Sequence, residues 1–104
     1  MESNANVGNR IEDLTHFTVA EFLETSEEPD TFRELVIDGV NFIEFSYADE
    51  PTPTYYPVST ENVVTIIPVH SIQAGEEGGV LATLIESGDT VRIDEDGRVY
   101  ESLN

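Results

Sequence analysis

The residues in this chain best equipped for chemistry are two histidines, a dense set of carboxylates and an adjacent tyrosine pair. His16 and His70 are far apart in sequence. One precedes an expected helix and the other closes an expected strand, so a metal site would need the fold to bring both together with acids. Packing or surface roles are the expectation for both. Asp94-Glu95-Asp96-Gly97 has the composition of a calcium loop. It lacks the alternating ligand spacing and the closing acid of one, and a tight hairpin turn accounts for it better. Carboxylate pairs are so frequent that none stands out as a hydrolytic dyad. Nucleophile elbow, phosphate loop, H-E-x-x-H and dinucleotide fingerprint are all missing from the sequence. The glycines lie in expected turns rather than ahead of a helix, so no phosphate cradle is indicated. With no cysteine, disulfides and thiolate metal sites are excluded. A non-catalytic chain is therefore expected, with no catalytic residue, cofactor or metal ligand assigned.

The tyrosine pair has a different use. Tyr55 and Tyr56 lie between Pro53 and Pro57 in ADEPTPTYYPV. Tyrosine offers rigid contact area with a polar tip, and proline lowers the ordering cost of binding. These four residues are the candidate partner contacts. The competing reading is that Tyr55 and Tyr56 cover one end of a sheet.

Charge dominates everything else. Twenty-two acids stand against four arginines (Arg10, Arg33, Arg92 and Arg98), for a net charge of −18 and no lysine. A chain of this size ordinarily holds about six lysines. Three explanations compete. In concentrated salt, where the Debye length falls to about 3 Å, carboxylate self-repulsion is screened, and hydrated carboxylates keep molecules apart. Lysine would instead lay an apolar stem on the surface. A nucleic-acid mimic would need carboxylates at phosphate-like spacing along one face, but the clusters Glu24/Glu27/Glu28/Asp30, Asp49/Glu50, Glu76/Glu77 and Asp94/Glu95/Asp96 fall mainly at expected turns. Disorder conflicts with the regular apolar strands. Salt adaptation is the preferred reading. Four scattered arginines cannot build a phosphate-neutralising patch, so direct nucleic-acid binding is not expected.

The elements that must position these residues follow from local pattern. Residues 1–10 are small and polar and are expected to form a flexible tail, leaving 11–104 as one acidic β-rich domain. Thr18-Val19-Ala20-Glu21 has capping-box form and predicts a helix over 18–26, with Val19, Phe22 and Leu23 inward and Leu14 and Phe17 packed at its start. FRELVI, Asp38-Gly39 and VNFIEFSY predict a hairpin with a two-residue loop. That loop sets Ile37 opposite Val40, Leu35 opposite Phe42, Arg33 opposite Glu44, Phe32 opposite Phe45 and Glu34 opposite Ile43. The prolines predict a loop or edge segment over 51–57 rather than a central strand. ENVVTIIPVHSI predicts one buried strand with an irregularity at Pro68. VLATLIES and TVRID form a further hairpin around Gly88-Asp89. A two-residue turn at Asp96-Gly97 would set Arg98 opposite Glu95, Ile93 opposite Tyr100 and Arg92 opposite Glu101. The expected structural ion pairs are thus Arg33–Glu44, Arg92–Glu101 and Arg98–Glu95.

ENVVTIIPV followed by GGVLATLIESGDTVRID resembles a strand-plus-hairpin pattern of small β-domains, among them LytTR-type DNA-binding domains and short flagellar regulators. The resemblance consists of apolar alternation and a turn glycine. The basic surface of a LytTR-like reader is absent, so its DNA binding is not carried over.

These readings converge on a mainly β, α+β domain. It has about six short antiparallel strands in consecutive hairpins, forming a small roll or partly open barrel, with one short N-terminal helix. The expected function is a non-catalytic interaction or assembly domain adapted to high salt, either a halophile's adaptor or a structural or accessory protein of a halophilic virus. An acidic nucleic-acid-mimic inhibitor of a defence or DNA-processing enzyme is the alternative. Expected partners are a protein or a second copy, with hydrated cations at the surface and no membrane. Residues 1–10 lack the basic-then-apolar pattern of a secretory leader. The expected location is accordingly a high-salt cytoplasm or a virus particle.

Overall fold

The computed structural model describes residues 7–11, 14–25, 29–75 and 78–102. The elements are β1 (Val7–Arg10), β2 (His16–Thr18), α1 (Val19–Thr25), β3 (Thr31–Ile37), β4 (Val40–Ser46), β5 (Thr54–Val58), β6 (Val63–Thr65), β7 (Val69–Ala74), β8 (Val80–Leu84), β9 (Thr90–Ile93) and β10 (Val99–Ser102). All ten strands join one sheet in the order β1-β10-β9-β8-β7-β5-β4-β3, with β6 beside β5 and β2 beside β6. Every pairing is antiparallel. The sheet curls into a half-barrel. The expected mainly β class with one short helix holds, with more strands than the six or so anticipated.

The β3–β4 hairpin is specified most tightly. Asp38 (φ 49°) and Gly39 (φ 86°) both take the left-handed backbone of a type I′ turn. The register matches the sequence expectation from Phe32 opposite Phe45 to Ile37 opposite Val40, and extends to Thr31 opposite Ser46. Side chains on a strand alternate between faces, so β4 serves two cores. Val40 and Phe42 enter a cluster with Val69, Val80, Val91, Ile93 and Val99. Ile43 and Phe45 face the other way, into a cluster with Phe22, Val58 and Val64. The first cluster joins residues from β4 and from β7 to β10, which is why the sheet must bend over it.

The helix is capped as expected. The Thr18 amide donates to Glu21 Oε1 at 3.1 Å, and the Glu21 amide donates to Thr18 Oγ1 at 3.2 Å. Phe22 is buried and stacks on Phe45 with centroids 5.2 Å apart. Leu23, expected inward, is exposed instead. Seven residues make only two turns, anchored by the buried Phe22 with Val19 packed against the same cluster.

Four further expectations are corrected. The proline-rich segment contains an interior strand: β5 pairs with β4 along its whole length, Pro57 standing opposite Phe42. Its other side is shared, Tyr55 meeting Val69 of β7 and Val58 meeting Val64 of β6. Pro57 falls where one neighbour gives way to the next, so its missing N–H costs the ladder little. The single strand expected over ENVVTIIPVHSI is split at Ile66–Pro68 into β6 and β7, the break forced by Pro68. Within the segment expected as a tail, Val7–Arg10 pairs with β10. Residues 1–6 lie outside the described residues.

The fourth correction is the β9–β10 register. Val99 opposes Ile93, Tyr100 opposes Arg92 and Glu101 opposes Val91. The Asp94 amide donates to the Arg98 carbonyl at 3.0 Å, and the Gly97 amide to the Asp94 carbonyl at 2.9 Å. The loop therefore has one more residue than expected, closed by Gly97 at φ 83°. A Cβ on Gly97 would lie 3.0 Å from Ser59 Cα, so this loop is pressed onto the start of the β5–β6 turn.

Candidate interaction surface

On β3 and β4 the matched register puts Arg33 beside Glu44. Arg33 Nε donates to Glu44 Oε1 at 2.7 Å and Nη2 to Oε2 at 3.4 Å. The Tyr55 hydroxyl, brought over by β5, donates to Oε2 at 2.8 Å. Glu44 is buried, while the Arg33 side chain is 67% exposed. The hydrogen bond from Arg33 holds the Glu44 carboxyl below the usual glutamate range, against the opposing effect of burial. Burial pushes the Tyr55 phenol up, and the neighbouring Glu44 carboxylate adds to the rise. This arrangement ties three strands together across one face.

The tyrosines point to opposite faces of β5. Tyr55 packs edge-on against Phe42, with centroids 6.2 Å apart. Tyr56 packs against Phe22 at 4.8 Å and Phe45 at 5.6 Å. Its phenol is raised by burial first, then by Tyr47 and Glu50. Both are partly buried, Pro53 is partly buried and Pro57 is fully so. The four residues expected to make one contact patch are thus divided between two faces and the strand interior. Tyr56 and His70 line an open groove of about 570 Å³, which Ile85 borders.

The remaining ion-pair expectations change with the β9–β10 register. Arg98 lies 3.8 Å from Asp96 rather than facing Glu95. The Glu95 carboxylate lies against Gly39 of the β3–β4 turn. Arg92 faces Tyr100 and donates through Nη2 to the Gly78 carbonyl at 3.0 Å, while Glu101 faces Val91. His16 and His70 line different clefts. Among the described residues no group of three or more histidines and acids could hold a metal ion. No helix there is long and apolar enough to cross a membrane.

Reasoning from sequence did not single out β3 as the exposed edge. It ends the strand order, so its outer backbone edge has no strand beside it among the described residues. It is seven residues long. Phe32 and Val36, which share a face, are 50% and 63% exposed. They are the two most exposed of the large apolar side chains among the described residues. The alternation Phe32, Glu34, Val36 was visible in sequence, but which strand lies at the edge depends on pairings between distant segments. Comparison with family models, curated proteins and solved structures finds no match for this chain.

Proposed function

We propose that this chain is a non-catalytic assembly domain for concentrated salt, and that it self-associates by strand addition along β3. The observation that carries this reading is the long β3 edge with Phe32 and Val36 exposed on one face. An edge of that kind is a template for another strand.

A second copy fits better than an unrelated strand. Antiparallel pairing about a two-fold perpendicular to the sheet keeps each face continuous across the junction. Centred on Glu34, it sets Phe32 of each copy opposite Val36 of the other, an aromatic against a β-branched residue. Arg33 meets Leu35 of the second copy and already has Glu44 as its counter-ion. Within β3 the like-charge pair in that register is Glu34 on Glu34, and just beyond its ends Asp30 of each copy falls opposite Asp38 of the other. Together with −18 on each copy, these pairs oppose association in dilute buffer. At 1 M salt, with a Debye length of about 3 Å, that opposition largely disappears. The resulting junction is small, so a weak and concentration-dependent dimer is expected.

Sedimentation velocity over a protein concentration series, in dilute and in molar KCl, tests this. The dimer should grow with salt, and Val36→Lys, which adds a charge at the edge, should leave a folded monomer. A monomer at every concentration in molar KCl, or an undiminished Val36→Lys dimer, would contradict the proposal.

A further inference from the structure

Two of the four arginines hold structure: Arg33 is bound to Glu44, and Arg92 donates to the Gly78 carbonyl. The other two, Arg10 from the end of β1 and Arg98 from the β9–β10 loop, line a single cleft of about 430 Å³. His16 of β2 lines it too. In a chain with more than five acids for each arginine, two arginines and a histidine share one cleft.

The cleft is built from tied elements. The amide of Ile11, just after β1, donates to the Val99 carbonyl at 2.8 Å, fixing Arg10 beside β10. β2 pairs with β6 so that His16 is opposite Thr65, and residues opposite one another in an antiparallel pair share a face. Gly97 packs against the backbone of Ser59, locking the loop that carries Arg98 to the β5–β6 turn.

Thr65 adds an independent sign. It lines the cleft, is only 3% exposed, and its hydroxyl has no hydrogen-bond partner among the described residues. Buried hydroxyls are nearly always satisfied, by protein, water or ligand. Arg10 likewise meets no carboxylate among the described residues. Among the described residues the acids on the lining are Asp96, 3.8 Å from Arg98, and Glu61.

We infer that this cleft binds a small oxyanion, a phosphate or carboxylate group. Arg10 and His16 supply N–H donors, the Thr65 hydroxyl donates from the floor, and Arg98 exchanges Asp96 for the ligand. Guanidinium groups suit such ligands because their planar donors match two oxygens at once. The site shares no residue with the β3 edge and does not depend on self-association.

The test is a nuclear magnetic resonance titration of the full chain with inorganic phosphate and, separately, acetate. It is run at a KCl concentration where the far-ultraviolet circular dichroism spectrum shows a folded chain. Chloride is then the background anion, so saturation over it reads a preference for oxyanions. The side-chain Nε–Hε signals of Arg10 and Arg98 should shift saturably with phosphate. Affinity should fall at least about tenfold in Arg10→Ala, where one charge-assisted contact is lost. Thr65→Val keeps the branched shape and removes the hydroxyl, so it should weaken binding several-fold while the remaining amide spectrum stays unchanged. Saturation by acetate as well would assign carboxylates to the site, and saturation by phosphate alone would narrow it to tetrahedral anions. Failure of both to saturate, or unchanged affinity in either variant, would overturn the assignment.

Discussion

Glu44 is the residue on which local chemistry and fold meet. It is a buried carboxylate, held ionised by Arg33 and capped by the Tyr55 hydroxyl. Its folded-state pKa is lowered, chiefly by the Arg33 hydrogen bond. The stability it contributes is therefore present above the unfolded glutamate value, about 4.3, and is lost as pH falls through the lower folded value. At fixed high salt, Glu44→Gln should cost about 1–2 kcal/mol near neutral pH. That cost should shrink toward zero on acidification, as read by urea melts of both proteins across pH. A cost independent of pH would contradict this assignment. Tyr55 works in the opposite sense: its raised pKa gives stability that is complete below the normal phenol range and is lost as pH rises through the folded value. The Arg33–Glu44 pair was legible from sequence because Asp38-Gly39 fixes a two-residue loop and with it every facing pair. Tyr55 was not, because its arrival at Glu44 depends on β5 pairing despite Pro57.

Among elements, turns decided what could be read in advance. Where the turn length was evident, as at Asp38-Gly39, the register followed along the whole hairpin. At Asp94–Arg98 one additional loop residue moved Tyr100 opposite Arg92 and dissolved two expected ion pairs. Asp94 accepts backbone amides from Asp96 and Arg98 through Oδ1, at 3.0 and 2.9 Å, and so favours the longer loop. Strands β2 and β6 have three residues each and are defined by tertiary partners rather than by periodicity. Gly97 offers a direct test of the loop. An alanine there would have to hold φ near 83° with its Cβ 3.0 Å from Ser59 Cα. Gly88 has a similar φ of 79° but nothing within 4 Å of an added Cβ. Gly88→Ala should cost only left-handed strain, about 1 kcal/mol, and Gly97→Ala about 2–3 kcal/mol or more. Thermal or urea melts compare the two, and equal costs would show that the loop is not pressed onto the β5–β6 turn.

At the scale of the whole molecule, a thin curved sheet carries an unusual charge. The described chain measures 45 × 28 × 23 Å, and its apolar interior is divided between the two faces of β4. Neither core is large, while a net −18 is spread over turns and strand faces. Folding stability is a small difference between large opposing contributions, so self-repulsion of this size matters. The strand-rich class was legible because it rests on alternation and turn residues. The edge at β3 and the cleft of Arg10, His16 and Arg98 were not, since each joins segments far apart in the chain.

The proposed role rests on a fold that concentrated salt sustains, and one measurement addresses that directly: far-ultraviolet circular dichroism across a KCl series from millimolar to several molar. Screening should convert an unfolded or loosened chain at low salt into the β-rich fold at high salt, reversibly. A complete β spectrum in millimolar KCl, unchanged on adding salt, would contradict it.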